Sequence, residues 1–523
     1  MVLRKAVENW LIKTNERNYQ TPFCQILMGK GYRIIYNSKH RSLEQGKDII
    51  AIDNNGNSFA YQLKTGDINL QVWRNIKGEI NDLIELPIIH PSISKNNIHK
   101  SYLVTNGAVD DEVRLIIDEI NEDNIRKKRN YSYLDIIDRY TLLKEFTDID
   151  FKFLPNEIEE FDTFLRIYLS DGKDFLDKEN LFNFYKIIFK ESFAKKSDKI
   201  NAISSSIIIN SYLLDKFQEV NNYYSIFEAW VALTAYILRY SIKNSLKKND
   251  YSETFNLAFS EIINNLLMLY DEFIDRDNFI EGDWIGDGGI VYKARLTILL
   301  GVLALLEIYL IKNGEKRDIR LLEKIKENNK HLWFWGESAF PFFFNIIKYL
   351  ETYNEKDLAK SILENILNII LEKNSYKKDL GNIADPYVNV HDIIEYIYKI
   401  NTSKIDPKEF SGNSFILQSI ISMLVIRNAR DVLERNWKDI SHFKFREFEI
   451  KKIEDNFTWR EEDGSNKTII PIKTQSWRTL KTQVENIDVI PIFKKNIFLL
   501  NFFCIISPHR MRNYITILLD NLL

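Results

Sequence analysis

Residues 44–67 read EQGKDIIAIDNNGNSFAYQLKTGD, and the reading of this stretch decides the fold. Two short runs rich in β-branched and aromatic residues, Lys47–Asp53 and Ser58–Thr65, flank the turn-forming cluster Asn54-Asn55-Gly56-Asn57. Such runs on either side of an Asn/Gly cluster predict a β-hairpin. Successive side chains of a strand point to opposite faces, so Gln62 and Lys64 share one face while Phe59, Tyr61 and Leu63 share the other. Where Asp48 falls depends on the turn. An odd number of turn residues places it on the face of Gln62 and Lys64. A two-residue Asn55-Gly56 turn would pair it with Leu63 and put the charges on opposite faces.

A carboxylate, an amide oxygen and an ammonium on one patch suit phosphodiester chemistry. The carboxylate is a hard oxygen ligand for a divalent cation, and the amide carbonyl or the backbone beside it adds a neutral oxygen. A lysine there orients or deprotonates an attacking water and offsets charge on a phosphate. The plainer alternative is an ordinary hairpin with solvated charges.

Gly46-x-Asp48 followed by Gln62-x-Lys64 across a hairpin resembles the PD-(D/E)xK nuclease superfamily, in its Mrr-like and Holliday-junction-resolvase-like branch, where Gln commonly replaces the second acid. The resemblance covers about the first 125 residues. It implies an N-terminal α/β restriction-endonuclease-like domain of order αβββαβ and a metal-dependent endodeoxyribonuclease using Mg²⁺ or Mn²⁺. Asp48, Gln62 and Lys64 would form its catalytic set. The family usually adds an acid from its first helix. Here that register lands on Gln20, with Glu16 one helical turn earlier and Glu8 two further turns back. Glu16 is preferred because a cation site wants negative charge, and Gln20 is kept as a neutral ligand. The implied metal set is thus Asp48, Gln62, Glu16 and Gln20, and the implied partner is DNA.

The flanking sequence fits that order. Residues 2–16 carry a helical stripe of Leu3, Ala6, Val7, Trp10 and Leu11, and Pro22 opens a second helix, Pro22–Met28. Strand Tyr32–Tyr36 and a polar loop, Asn37–Gln45, lead into the hairpin. Asp67–Leu70 is a possible short extension. A helix follows over residues 72–86, then a buried strand, Tyr102–Val104, and a helix, Asp110–Asn121. From Tyr131 onward helical patterns dominate without a fixed period, which predicts an irregular α-helical array over 126–440. Residues 441–523 read as a mixed segment packed on that array. A β-ribbon is expected from Lys444–Lys452, Phe457–Trp459 and Thr468–Ile472, and the end is helical.

Scarce Pro (10) and Gly (18) agree with a helical body. The whole chain carries a net charge of -3, but residues 1–100 hold 14 Lys/Arg and 9 Asp/Glu, a balance of +5 that suits a phosphate-bearing partner. Two cysteines far apart, Cys24 and Cys504, argue for a reducing compartment and against a zinc ribbon. No apolar signal segment opens the chain. The most apolar run, 296–311, is short for a membrane span and contains Glu307, so it reads as a core helix. The expected location is the cytoplasm, with no membrane partner.

Other motifs are weaker. Arg126-Lys-Lys-Arg129 could touch backbone phosphates or be a solvated linker. The Gly282–Gly289 cluster lacks the Gly-x4-Gly-Lys pattern of a phosphate loop. His391 and Glu395 stand four apart but lack a second histidine at metalloprotease spacing. Trp333-Phe334-Trp335 and Phe340–Phe344 read as core. Thr474–Trp477 and Pro508-His509-Arg510 are locally distinctive without a mechanism. Small Mrr-like domains on large helical bodies are similar to effectors of prokaryotic restriction and anti-phage systems. In such an effector the helical region would sense a trigger, bind a second defence-system protein or form a homo-oligomer. The alternative is a catalytically inactive, DNA-gripping module on a helical interaction scaffold.

Overall fold

The structure, a computed structural model, describes residues 2–37, 46–90, 93, 98–147, 158–191, 193–276, 279–280, 289–315, 318–375, 383–402, 405, 411–459, 464–470 and 475–523. Side chains are described from residue 7 in the first helix, from 162 in the helix starting at 158 and from 467 in the strand starting at 464. The chain divides into two compact units, Met1–Leu233 with Leu246–Asn264, and Thr234–Ser245 with Asn265–Leu523.

The first unit opens with α1 (Val2–Lys13), α2 (Glu16–Gly29), β1 (Arg33–Asn37), β2 (Ile49–Ile52) and β3 (Ser58–Lys64). It continues through α3 (Leu70–Glu85), β4 (Lys100–Thr105), α4 (Asp111–Arg126) and β5 (Leu134–Ile137). The strands form one mixed sheet in the order β1-β2-β3-β4-β5. The hairpin pairings are antiparallel, whereas β3–β4 and β4–β5 are parallel, each joined through a helix.

Both faces of the central strands are buried, so β2 reads as an uninterrupted Ile-Ile-Ala-Ile. Ile49, Ala51, Phe59, Tyr61 and Leu63 join one core with Trp10 and Leu11 of α1 and Tyr19 and Phe23 of α2. Ile50 and Ala60 lie in the opposite core beneath Trp73, Ile76 and Ile80 of α3 and Val113 and Ile117 of α4. By the two-residue period, Gln62 and Lys64 continue the face of Ala60, which α3 covers.

Three expectations for the first unit are corrected. The second helix starts at Glu16 rather than Pro22: the Asn15 side chain caps it by accepting from Asn18 N–H, and Pro22 sits inside the helix. A proline inside a helix loses one backbone bond, but it is also a favoured opening residue, and that second signal misled the sequence reading. The α/β module does not end at residue 125, because β5 extends the sheet and was not foreseen. The first core also includes Leu142, Phe146, Ile208, Tyr212 and Leu257, so the helices that carry these residues belong to the same compact unit. Finally, Ile68 makes a single parallel bridge to Val109 instead of a strand extension. The side chains of Leu3 and Ala6 and residues 38–45 lie outside the described set.

The second unit is mostly helical and carries a small sheet of β6 (Asn413–Ser414), β7 (Lys444–Ile450) and β8 (Gly464–Ile469). β7 and β8 form the expected antiparallel ribbon, but the Phe457–Trp459 segment is no strand, since Ile453–Phe457 forms a 3₁₀ turn. The apolar run 296–311 lies in the helix Ile290–Lys312. Among the described residues this helix alone is long and apolar enough to cross a membrane, and 83% of its most apolar window is buried inside the protein. Trp335, Phe340 and Phe342–Phe344 are buried core residues, as expected.

Candidate active site

The hairpin turn sets the site. The β2–β3 ladder runs from Ile49 opposite Tyr61 to Ile52 opposite Ser58, leaving residues 53–57 as a five-residue connection. Asp53 organises it: its carboxylate accepts from Asn55 N–H at 2.9 Å, from Asn57 N–H at 2.8 Å and from the Asn57 side-chain amide at 2.8 Å. Gly56 supplies the left-handed residue, at φ 83°. The odd count carries Asp48 to the Gln62–Lys64 side. Asp48 stands one residue beyond the ladder, where its N–H donates to Tyr61 O at 2.9 Å. Its Oδ2 accepts at 2.6 Å from the N–H of Leu63, the residue between Gln62 and Lys64.

Asp48 and Gln62 are 6% and 5% exposed, so both polar groups are held away from bulk water. Among the described residues, the buried Gln62 Oε1 has no hydrogen-bond partner. An unpartnered buried carbonyl is costly unless something else satisfies it. Lys64 Nζ lies 2.7 Å from Glu79 Oε2, and Gln62 Nε2 lies 3.5 Å from the same oxygen. Glu79 comes from α3, the helix that covers the face shared by Gln62 and Lys64. It was missed because the sequence search for an acid followed the first helix. The usable signal was its place beside Ile80 and three residues after Ile76, on the rim of the α3 stripe that packs on the sheet.

The segment before Asp48 locks α3 in place. Gly46 has φ 67°, and a Cβ there would stand 2.4 Å from the carbonyl oxygen of Glu79 itself. Lys47 is buried and donates to Asp82 O at 3.2 Å. Burial pulls its ammonium down to about 8, against the opposing pull of Asp82.

From the other layer, α2 reaches the end of β3. Tyr19 Oη donates to Lys64 O at 2.8 Å, and Gln20 Nε2 donates to Asn37 Oδ1 at 2.7 Å and to Asp48 O at 3.4 Å. Gln20 therefore braces the Asp48 backbone. Asn106 ties the turn after α1 to the sheet, donating to Leu11 O and Thr14 O and accepting from Gly66 N–H. Glu16, the first residue of α2, is half-buried, while Glu8 is exposed on α1. Burial works against charge on Lys64, but Glu79, Glu16 and Asp48 outweigh it and hold the ammonium above the usual lysine range. At neutral pH Lys64 is a cation, suited to neutralising an anion rather than to taking a proton.

Among the described residues, no three His, Cys, Asp or Glu side chains gather as a metal site. A cation here would rest on the Asp48 carboxylate and the orphaned Gln62 carbonyl, both hard oxygen donors of the kind Mg²⁺ and Mn²⁺ take. On that donor chemistry the residues fit a divalent cation.

Among the described residues, the remaining motifs form no second site. Arg126 and Lys127 pair with Asp123 at 2.6 and 2.5 Å, and Arg129 lies over the Tyr131 ring. His391 and Glu395 bind each other at 2.9 Å. Arg510 is buried, donating to Thr458 O at 2.9 Å and lying over Phe448. Ser476 caps the helix Trp477–Glu485. Residues 281–288 and Thr474 lie outside the described set, and Gly289 caps the helix Ile290–Lys312. Compared with protein-family models, curated proteins and solved structures, the chain matches none.

Proposed function

We propose that the N-terminal module is a PD-(D/E)xK-type, restriction-endonuclease-like domain that cleaves DNA phosphodiester bonds with Mg²⁺ or Mn²⁺. One observation carries this reading: the Asp48 carboxylate accepts from the N–H of Leu63, the residue between Gln62 and Lys64, beside a buried Gln62 oxygen without a hydrogen-bond partner among the described residues. Asp48 and Gln62 would hold the cation, with Glu16 adding negative charge from the α2 start. The bound cation supplies Lewis-acid chemistry at the scissile phosphate and a more acidic water. Lys64, kept protonated, offsets the charge that grows on the phosphate as its bond breaks. Tyr19 and Gln20 keep the backbones of Lys64 and Asp48 at fixed positions.

The helical remainder fits a sensing, partner-binding or oligomerising part of a cytoplasmic anti-phage or restriction effector, a role that rests on architecture alone. A second reading is a DNA-gripping module without catalysis. It is favoured by the lack of a cluster of three His, Cys, Asp or Glu side chains among the described residues and by the Lys64–Glu79 ion pair. Supercoiled plasmid incubated with the full chain in Mg²⁺, Mn²⁺ or EDTA separates the two. Metal-dependent nicking or linearisation supports the nuclease, and retarded but uncut plasmid in all three selects the gripping module.

A further inference from the structure

We infer that Glu79 is a positioning residue that fixes which way the Gln62 amide faces, so that its carbonyl oxygen, and not its NH₂, is offered to the cation. This rests on the nuclease reading above and assigns to α3 a part in the site.

The geometry is specific. A single oxygen, Glu79 Oε2, receives both Lys64 Nζ at 2.7 Å and Gln62 Nε2 at 3.5 Å. A terminal amide is planar, with N and O on opposite arms of one carbon, and its last torsion is broad and roughly two-fold. A half-turn of Gln62 would exchange the two arms with little steric change. Glu79 opposes that half-turn, because the carboxylate attracts the NH₂ and repels the carbonyl. With the NH₂ held there, Oε1 is the arm left buried and unpartnered. Without Glu79, the half-turned amide would present N–H donors to a cation.

Glu79 does not reach this place by chance of rotamer alone. Gly46, two residues before Asp48, approaches its backbone so closely that a Cβ at 46 would stand 2.4 Å from Glu79 O, and the next turn of α3 is held by Lys47 through Asp82 O. The same segment that delivers Asp48 to the site thus fixes the helix that delivers Glu79. Glu79 itself is half-exposed, with a side chain 52% accessible, so removing it opens no cavity in the core. Partners one step removed from a metal ligand typically contribute about 10–100-fold in metal affinity.

The test is a double-mutant cycle on Mn²⁺ affinity, read by calorimetric titration of the full chain, with circular dichroism confirming the fold of each variant. Glu79→Ala should weaken Mn²⁺ binding about tenfold. A carboxylate at position 62 has two equivalent oxygens and needs no orienting. In the Gln62→Glu background, Glu79→Ala should therefore cost clearly less, leaving a coupling between the two sites. An equal loss in both backgrounds would mean that Glu79 acts by charge alone and would overturn the inference, as would no loss in either. If the unmodified chain binds Mn²⁺ and cuts plasmid but the cycle is additive, only the role of Glu79 falls. If it neither binds Mn²⁺ nor cuts, the nuclease reading falls with it.

Discussion

Replacing Asp48 by Asn and by Ala separates its structural duty from its chemical one. The Asp48 Oδ2 accepts from the N–H of Leu63 at 2.6 Å, and Leu63 is itself 1% exposed. Asn keeps a carbonyl oxygen that can accept the same bond. Ala leaves a buried N–H without a partner, a penalty of about 1–3 kcal/mol. Asp48→Ala should therefore lose about 2 kcal/mol of stability in urea denaturation, and Asp48→Asn clearly less. Both should lose cation-dependent cleavage on the order of a hundredfold or more, since each removes the charged oxygen donor and with it the several kcal/mol that a bound cation supplies. The assays are urea unfolding followed by tryptophan fluorescence and plasmid cleavage in Mg²⁺. Equal destabilisation by Asn and Ala would refute the bond to Leu63 as the structural duty of Asp48. Wild-type cleavage by Asp48→Asn would refute its role as a ligand.

Three further outcomes are expected. Gly46→Ala forces a left-handed backbone onto a residue with a side chain and drives its Cβ against Glu79 O, so urea unfolding should show a loss of at least about 1–2 kcal/mol. His99 is buried, with Nε2 at 2.8 Å from Leu83 O, and burial pulls its pKa down from 6.5 to about 4, helped by Lys47 and opposed by the Leu83 bond. The unfolded chain then takes up a proton that the folded chain refuses. Stability is full above pH 6.5 and is lost as pH falls through about 4, by on the order of 3 kcal/mol, and His99→Gln should flatten that loss in unfolding midpoints measured across the window. A chain cut after residue 126 lacks β5 and the Leu142, Phe146, Ile208, Tyr212 and Leu257 partners of Trp10 and Leu11, so circular dichroism and heating should reveal no cooperative transition.

What the sequence made legible was local. The hairpin and the sharing of a face by Gln62 and Lys64 follow from a two-residue period and a few turn residues, all within 24 positions, whereas the length of the turn, and with it the side of Asp48, was decided only by the β2–β3 register. What it hid was set by distant packing. β5 is only Leu134–Ile137, with Asp135 exposed in its middle, and it is a strand because β4 offers a parallel edge from Ser101 to Val104. Glu79 looked like any solvated helix acid until the sheet face of Gln62 and Lys64 was seen to lie under α3 and not α2. The α2 boundary went astray because Pro22 carries two opposite meanings in a helix, and only the Asn15 cap decides between them.

The most direct measurement is the single-turnover rate of plasmid cleavage in Mg²⁺ by the full chain and by its Lys64→Ala variant, at protein concentrations that saturate the DNA. A patch built from Asp48, Gln62 and a protonated Lys64 predicts metal-dependent cutting that falls on the order of a hundredfold or more when the ammonium is removed. Equal rates for the two proteins would contradict it.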